Sequence, residues 1–560
     1  MDFQRTLIIG VIAVLSFMLL TEWVDFKETR NQAPQSAQTE TAIDNHTASA
    51  FAGALVDSEH EQDLPVIVDA EQKPAAAIEN TSAMIEVRTD VLAVSLDTLG
   101  GDISSASLLT YATKLNTPDD PFQLLERSAQ RQYYAQSGLI GKHGIDSNTQ
   151  RPRFVSSASN YQLDDNENNL VVDLLHSADT GVEITKRFTF YRGEYLVDVE
   201  YLIQNSSDQV WRGNLFAQIK RDNSADPAAA SSGMGMVPFL GAAITSPEKR
   251  FEKISFDDMQ ESPLKTTVIG GWVAMIQHYF LSAWIPDSET QHNYSTAVTK
   301  SGLNIIRFTS PETIVEPGST ETIKLQFYAG PKDQYRLEEI SPGLDLSVDY
   351  GWLWWIAQPL FWLLTKIQSL VTNWGLSIIL LTVLVKAGFY KLSAASYRSM
   401  ANMRRVQPKM VEIKELYGDD RQKQSAAMME LYKKEKINPL GGCLPILIQM
   451  PVFISLYWVL MESVELRHAP FMLWINDLSV MDPYFVLPLI MGVSMWFQQK
   501  LNPPPPDPMQ AKVMQWMPVI FTFFFLFFPA GLVLYWVVNN LLSILQQWII
   551  TRQIEKAAAS

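Results

Sequence analysis

Apolar residues recur along this chain in two rhythms. Between residues 84 and 330 they alternate with polar ones: Val182, Ile184, Phe188 and Phe190 lead into a turn at Arg192-Gly193-Glu194, and Tyr195, Val197, Val199, Tyr201 and Ile203 lead out of it. A period of two on both sides of a turn predicts an antiparallel hairpin. Further strand-like runs at 272–285, 304–308 and 322–328, punctuated by turn residues such as Glu316-Pro317-Gly318, extend the prediction to a large antiparallel β sandwich over residues 81–340. Beyond residue 350 the alternation gives way to long apolar blocks. These predict membrane spans at 373–393, 443–462, 483–499, 513–528 and 532–552, the last two divided at Pro529-Ala530-Gly531. An apolar run at 7–20 follows one basic residue, Arg5, and no small-x-small cleavage site follows Leu20. Residues 1–24 therefore read as a retained signal-anchor span, the first of six.

The segments between the spans set the orientation. Residues 394–442 hold ten Lys/Arg against six Asp/Glu, which places them in the cytoplasm by the positive-inside rule. Within them Met400, Met403, Val406, Met410, Ile413 and Tyr417 step by threes and fours, Gly418-Asp419-Asp420 makes a turn, and Met428, Leu431 and Tyr432 return, so a helical hairpin is expected, kinked at Pro408. The loop 463–482, with one base against three acids, falls outside; the loop 500–512 and the tail 553–560 fall inside. Both termini are then cytoplasmic and the β domain lies outside. Residues 351–372 put Gln358, Thr365, Ser369 and Thr372 on one helical face, which suits an amphipathic helix in the membrane interface; an ordinary span is the alternative. Spans of 14–16 helical residues reach only about 21–24 Å against roughly 30 Å of hydrocarbon, so local thinning of the bilayer is expected.

Composition adds exclusions. The net charge of −16 argues against nucleic acid as a partner, and the acidity gathers at 25–97, where 14 Asp/Glu face 4 Lys/Arg. Residues 25–80 bury too little apolar area to order themselves and read as a flexible acidic linker. The single cysteine, Cys443, excludes an intramolecular disulfide and a cysteine-based metal site. His143, His176, His278 and His292 lack metal-ligand spacing, no acid/base pair stands out, and no phosphate-binding loop is present, so neither catalytic residues, a metal nor a cofactor is expected.

The chemistry concentrates inside the apolar blocks. Lys386 stands within the span 373–393, where a cation costs roughly 2.5–3.5 kcal/mol on insertion scales and usually faces a polar or watery interior. The bland alternative is that it snorkels to the cytoplasmic headgroups, with Lys391 marking the end of the span. Thr382 lies one turn before it, Gln449 stands between Pro445 and Pro451, and Asn539, Asn540, Gln546 and Gln547 lie in the last span. No intramembrane carboxylate accompanies Lys386. A hydrated, positive pocket that attracts acidic peptide segments follows.

The motifs Asn438-Pro-Leu-Gly-Gly-Cys-Leu-Pro445, Ile448-Gln-Met-Pro-Val-Phe453, Val464-Glu-Leu-Arg467, Met517-Pro-Val-Ile520 and Phe528-Pro-Ala-Gly-Leu-Val-Leu-Tyr535 cover 350–550 in an order that resembles the YidC/Oxa/Alb membrane-protein insertase family, in particular its Gram-negative branch. Weaker likenesses at Met1-Asp-Phe-Gln-Arg5, Gly271-Trp-Val-Ala-Met275 and Ala283-Trp-Ile-Pro286 extend the match to the anchor and the β domain. The resemblance implies a multi-pass α-helical inner-membrane protein with a five-helix insertase core and a periplasmic β super-sandwich similar to sugar-binding mutarotases. It implies an energy-independent insertase and chaperone for nascent membrane proteins, working alone or with the Sec translocon through a hydrophilic groove. By position the groove cation is Lys386, with Thr382, Gln449, Tyr535 and Trp536 around it, and the apolar client path maps onto Phe453, Met491 and Phe524. The family usually has arginine where Lys386 stands and often tyrosine at position 536; lysine keeps the charge but loses the planar fork. Packing or lipid contact is the bland reading of the aromatic and Met positions. Ribosome contact would fall to the cytoplasmic hairpin and loops, since the tail is short, and membrane lipids surround the spans. A secondary transporter using Lys386, and a membrane-anchored sugar-modifying enzyme acting through the β domain, are the competing readings; the first lacks repeats and paired charges, the second gives the spans no role.

Overall fold

The alternation in the first half builds two stacked sheets. The computed structural model describes residues 63–65 and, with short interruptions at 149, 179, 229–237, 247, 419, 436–443 and 503–507, residues 83–559. The expected anchor at 1–24, most of the linker 25–80 and the motif residues 438–443 lie outside the described residues. A ten-stranded and a nine-stranded sheet, with strands from Met84–Arg88 to Thr320–Pro331, form the β sandwich. Pairing is antiparallel throughout, except that Met84–Arg88 runs parallel to Asn160–Gln162. Inward side chains such as Ile184, Phe188, Val199, Tyr201, Ala217, Ile219, Ile306 and Phe308 fill the space between the sheets, which is why the alternation is so regular on Val182–Tyr191 and Leu196–Asn205. Two short helices, α1 (Phe256–Glu261) and α2 (Gln334–Ile340), decorate the sandwich.

The second half is helical: α3 (Trp354–Val371), α4 (Trp374–Gly388), α5 (Tyr390–Tyr417), α6 (Arg421–Lys434), α7 (Leu444–Glu462), α8 (Val486–Leu501), α9 (Pro508–Phe525) and α10 (Ala530–Ala559). Boundaries follow local chemistry. Thr372 adopts a left-handed conformation that ends α3, and Asn373 then caps α4, its Oδ1 accepting from Leu376 N at 2.9 Å. Asp420 likewise caps α6, and Val406, Met410 and Leu431 zip α5 to α6 as the expected hairpin. Gly492 lets α8 and α9 cross closely, since a Cβ there would run into Thr522.

The bundle has an apolar core that includes Phe361, Leu364, Leu456, Met491 and Phe525, with a buried polar network beside it and an apolar outer surface. Ser377, Thr382, Ser494, Asn539, Asn540, Ser543, Gln546 and Gln547 are buried, while Leu489, Val493, Phe497, Trp516, Val519, Ile520 and Phe523 face outward. An apolar surface with the polar side chains turned inward suits a hydrocarbon solvent. Among the described residues only a 25-residue stretch of α10, Ala530–Ile554, is long and apolar enough to cross a bilayer by itself; α4 and α5 reach that measure only jointly, across a 68° bend. The other blocks form shorter helices, 15 residues in α4 and 16 in α8. On α3 the exposed side carries Trp354, Trp355, Trp362 and Leu370, and the polar stripe read from the sequence is narrow beside them.

The C-terminal end of α7 and the loop 463–485 anchor the bundle to the sandwich. Arg467 donates to Ala112 O at 2.7 Å and Thr113 O at 3.1 Å, His278 Nε2 donates to Met461 O at 2.8 Å, and Lys332 Nζ reaches Glu462 Oε2 at 2.7 Å with both side chains nearly inaccessible. Glu465, buried in the same junction, has its carboxyl pushed up to about 7 by desolvation and by the Asp333 carboxylate, and its Oε2 has no partner among the described residues. Unfolded, it titrates near 4.5, so the folded chain holds the proton more tightly; stability is full below about pH 4.5 and declines as pH rises to 7. The loss amounts to about 3 kcal/mol at about 1.4 kcal/mol per unit. Glu465→Gln is therefore expected to melt above wild type at pH 8 and level with it at pH 4.5, a difference that parallel thermal scans would check; an unchanged gap at the two pH values would remove Glu465 as the cause.

Candidate functional site

Lys386 sits in the last turn of α4, where the helix dipole favours a cation. Immediately beyond it the chain bends by 68° at Phe389 into α5. A narrow, partly open crevice lies there, lined by Lys386, Phe389, Leu392 and Ser393 from the bend and by Gln449 and Val452 from α7. Lys386 Nζ donates to Ser543 Oγ at 2.7 Å and to Gln449 Oε1 at 3.3 Å. Ser543 Oγ in turn donates a hydrogen bond to Asn539 O at 2.7 Å, and Gln449 Nε2 donates to Asn539 Oδ1. The ammonium is thus held by neutral oxygens, and no carboxylate among the described residues pairs with it. Its charge is left available to a third party.

The other expected groove residues divide. Gln449 is in the first contact layer of the cation. Thr382 shares the Lys386 face of α4, yet its hydroxyl donates to Ile378 O at 2.6 Å and serves its own helix. Tyr535 and Trp536 do not reach Lys386; they join an aromatic cluster with Phe453, whose ring lies 4.6 Å from Trp536 and 6.3 Å from Tyr535, and with Phe525. Trp536 Nε1 is buried with no partner among the described residues. Of the apolar path, Phe524 is exposed on α9, Phe453 is half-buried on α7, and Met491 is wholly enclosed within the bundle on α8. Sequence reading missed Ser543, the nearest neighbour of Lys386, and Ser494, which accepts from Asn540 Nδ2 at 3.2 Å. Ser543 lies one helical turn after Asn539, so their shared face was the available signal.

An apolar-coated bundle with an unneutralised cation in a local polar network, joined to a β sandwich, suits a membrane-embedded protein with a water-facing domain. A family model described as "YidC periplasmic domain" matches residues 84–363, and one described as "60Kd inner membrane protein" matches 366–557. Relatives named "Membrane protein insertase YidC" are 52% identical in Marinomonas sp. (strain MWYL1), with all of both chains covered, and 54% identical in Cellvibrio japonicus (strain Ueda107), with all of this chain and 99% of the relative covered. A relative of that name in Pseudomonas aeruginosa (strain LESB58) is 53% identical over the full length of both chains. The chain belongs to the YidC family of membrane protein insertases. Its β sandwich is the family's periplasmic domain, and its helical part is the family's inner-membrane portion.

Proposed function

We propose that this protein inserts nascent membrane proteins into the bacterial inner membrane through a hydrophilic groove centred on Lys386, alone or alongside the Sec translocon. The supporting observation is the Lys386 ammonium, hydrogen-bonded only by neutral groups among the described residues, at a partly open crevice between the α4–α5 bend and α7. An acidic or polar client tail is drawn to that charge and spared part of its desolvation, while its apolar segment moves into lipid past Phe453 and Phe524. Met491, being enclosed, takes part only if α8 shifts. Burial of the client's own helix drives the step, and no covalent bond is made or broken.

In this reading the helical part, together with the anchor at 1–24, crosses the membrane six times, its short helices thinning the bilayer, with both termini cytoplasmic. The α5–α6 hairpin then faces the ribosome side. The test is insertion of a small single-span protein with an acidic N-terminal tail into liposomes holding only this purified protein. Protease protection of the tail well above empty liposomes is expected, falling severalfold when the tail's acids are changed to lysines. Insertion no better than in empty liposomes would sink the reading, and indifference to tail charge would sink the role of the cation.

A further inference from the structure

A two-layer sandwich should leave the outer face of each sheet to water, yet one part of the ten-stranded sheet is buried and charged. On Trp211–Arg221 the residues Ala217 and Ile219 point into the core, so Phe216, Gln218 and Lys220 point away from it; on Gln132–Ile140 the outward residues include Tyr134, Gln136 and Ile140. All six are at most 6% exposed. Arg307, on the adjoining Asn304–Val315 strand, lies on the same face, its Nη1 without a partner among the described residues, and burial lowers its pKa to about 10. Buried cations are tolerated only with partners.

The described cover is a fragment of the acidic linker. Lys220 Nζ pairs with Asp63 Oδ1 at 2.9 Å, and Gln218 Nε2 donates to Asp63 O at 3.1 Å. Leu64, 4% exposed, packs between Ile140 and Phe216. Its backbone is read at both ends by one side chain: Leu64 N donates to Asn148 Oδ1 at 2.6 Å and Asn148 Nδ2 donates to Leu64 O at 3.2 Å. That two-point contact reproduces the hydrogen bonding of an added strand. Asn148 stands on a loop fixed by Asp146, whose carboxylate accepts from Leu139 N at 2.8 Å and from Arg151 Nη1. A backbone clamp, an apolar pocket and a buried cation together make a reader of an extended acidic-apolar segment.

We infer that this face is a peptide-recognition site for an Asp-Leu-Pro segment and that the chain fills it in cis with its own Asp63–Leu64–Pro65. Docking shortens the tether between the expected anchor and the sandwich from the 58 residues of 25–82 to the 38 of 25–62. Because the occupant belongs to the same chain, it competes at an effective concentration on the order of millimolar. A free peptide therefore meets an occupied site.

The test uses the full chain in nanodiscs and a fluorescent synthetic peptide of residues 58–70. Wild type is compared with an Asp63→Lys/Leu64→Asp variant, whose changes fall in the linker and spare the sandwich. The variant is expected to bind the peptide at least about tenfold more tightly than wild type, to ignore a scrambled peptide, and to lose about fivefold when Asn148→Ala is added. Hydrogen exchange across 211–221 should quicken in the variant without peptide and slow again on adding it. Equal peptide binding by wild type and variant, equal binding of the scrambled peptide, or exchange at 211–221 unmoved by the linker changes would each overturn the inference.

Discussion

Lys386→Ala is expected to reduce insertion of the acidic-tailed client by tenfold or more, while Lys386→Arg keeps most of it. One unit charge acting on one carboxylate at about 10 Å, in an effective dielectric near 20, contributes about 1.7 kcal/mol, which is already more than tenfold. The substitution is unusually clean. Lys386 has no acidic partner to strand among the described residues: Ser543 still donates to Asn539 O, and Gln449 still donates to Asn539 Oδ1. Removing a half-buried cation leaves the bundle's stability within about 1 kcal/mol or raises it, since its desolvation is no longer opposed. Insertion and thermal unfolding measured on the same preparations separate the two effects. Full insertion by the alanine variant would discard electrostatic capture at this site, and a collapse of its unfolding midpoint would assign Lys386 to the fold. Raising the salt should narrow the gap between variants, because an open groove is screened.

The sandwich was legible because burial between two sheets enforces alternation: Val182, Ile184, Phe188 and Phe190 can be read straight onto one inner face. The hairpin was legible for the same reason, its small core repeating at helical spacing. Lys386 announced itself by its cost in an apolar run. What sequence could not supply was the partner set across helices. Ser543 and Gln449 meet Lys386 only because α7 and α10 converge at the bend, and that convergence has no local signature. Tyr535 and Trp536 matched the groove by position; their rings pack around Phe453, and the Tyr535 hydroxyl lies beside Gln449, one residue removed from Lys386. Span number was similarly hard to read, since an apolar block reports hydrophobicity and not how many residues stay helical before a break. The linker reading treated 25–80 by composition, an average in which a few specific residues do not register; Asp63 and Leu64 meet a site built from strands more than sixty residues away.

The largest structural effect should come from the junction, where Glu462→Ala leaves Lys332 buried beside Ser347 O and the neutral His278 ring. Burial and the Lys332 charge hold His278 down to about 4, so the imidazole is neutral at neutral pH and neither adds a second cation nor supplies the missing anion. Breaking one side of a buried pair costs about 3–5 kcal/mol, because the surviving ion keeps its desolvation penalty without its Coulomb gain. A protein of several parts has no single unfolding free energy, so the loss is best read as local opening. The Lys332 amide, which donates to Tyr279 O at 2.8 Å, is a suitable reporter, and its exchange should quicken a hundredfold or more in Glu462→Ala. Replacing both partners, Lys332→Met with Glu462→Leu, removes both desolvation penalties together and should return exchange to within about tenfold of wild type. Unchanged exchange in the single variant would mean that water already reaches the pair. The same three proteins distinguish two roles for the sandwich. If the salt bridge holds the outer ends of α7 and the loop 463–485 in place for the groove, insertion falls in the single variant and recovers in the double. If the sandwich is only carried along, junction opening and insertion vary independently.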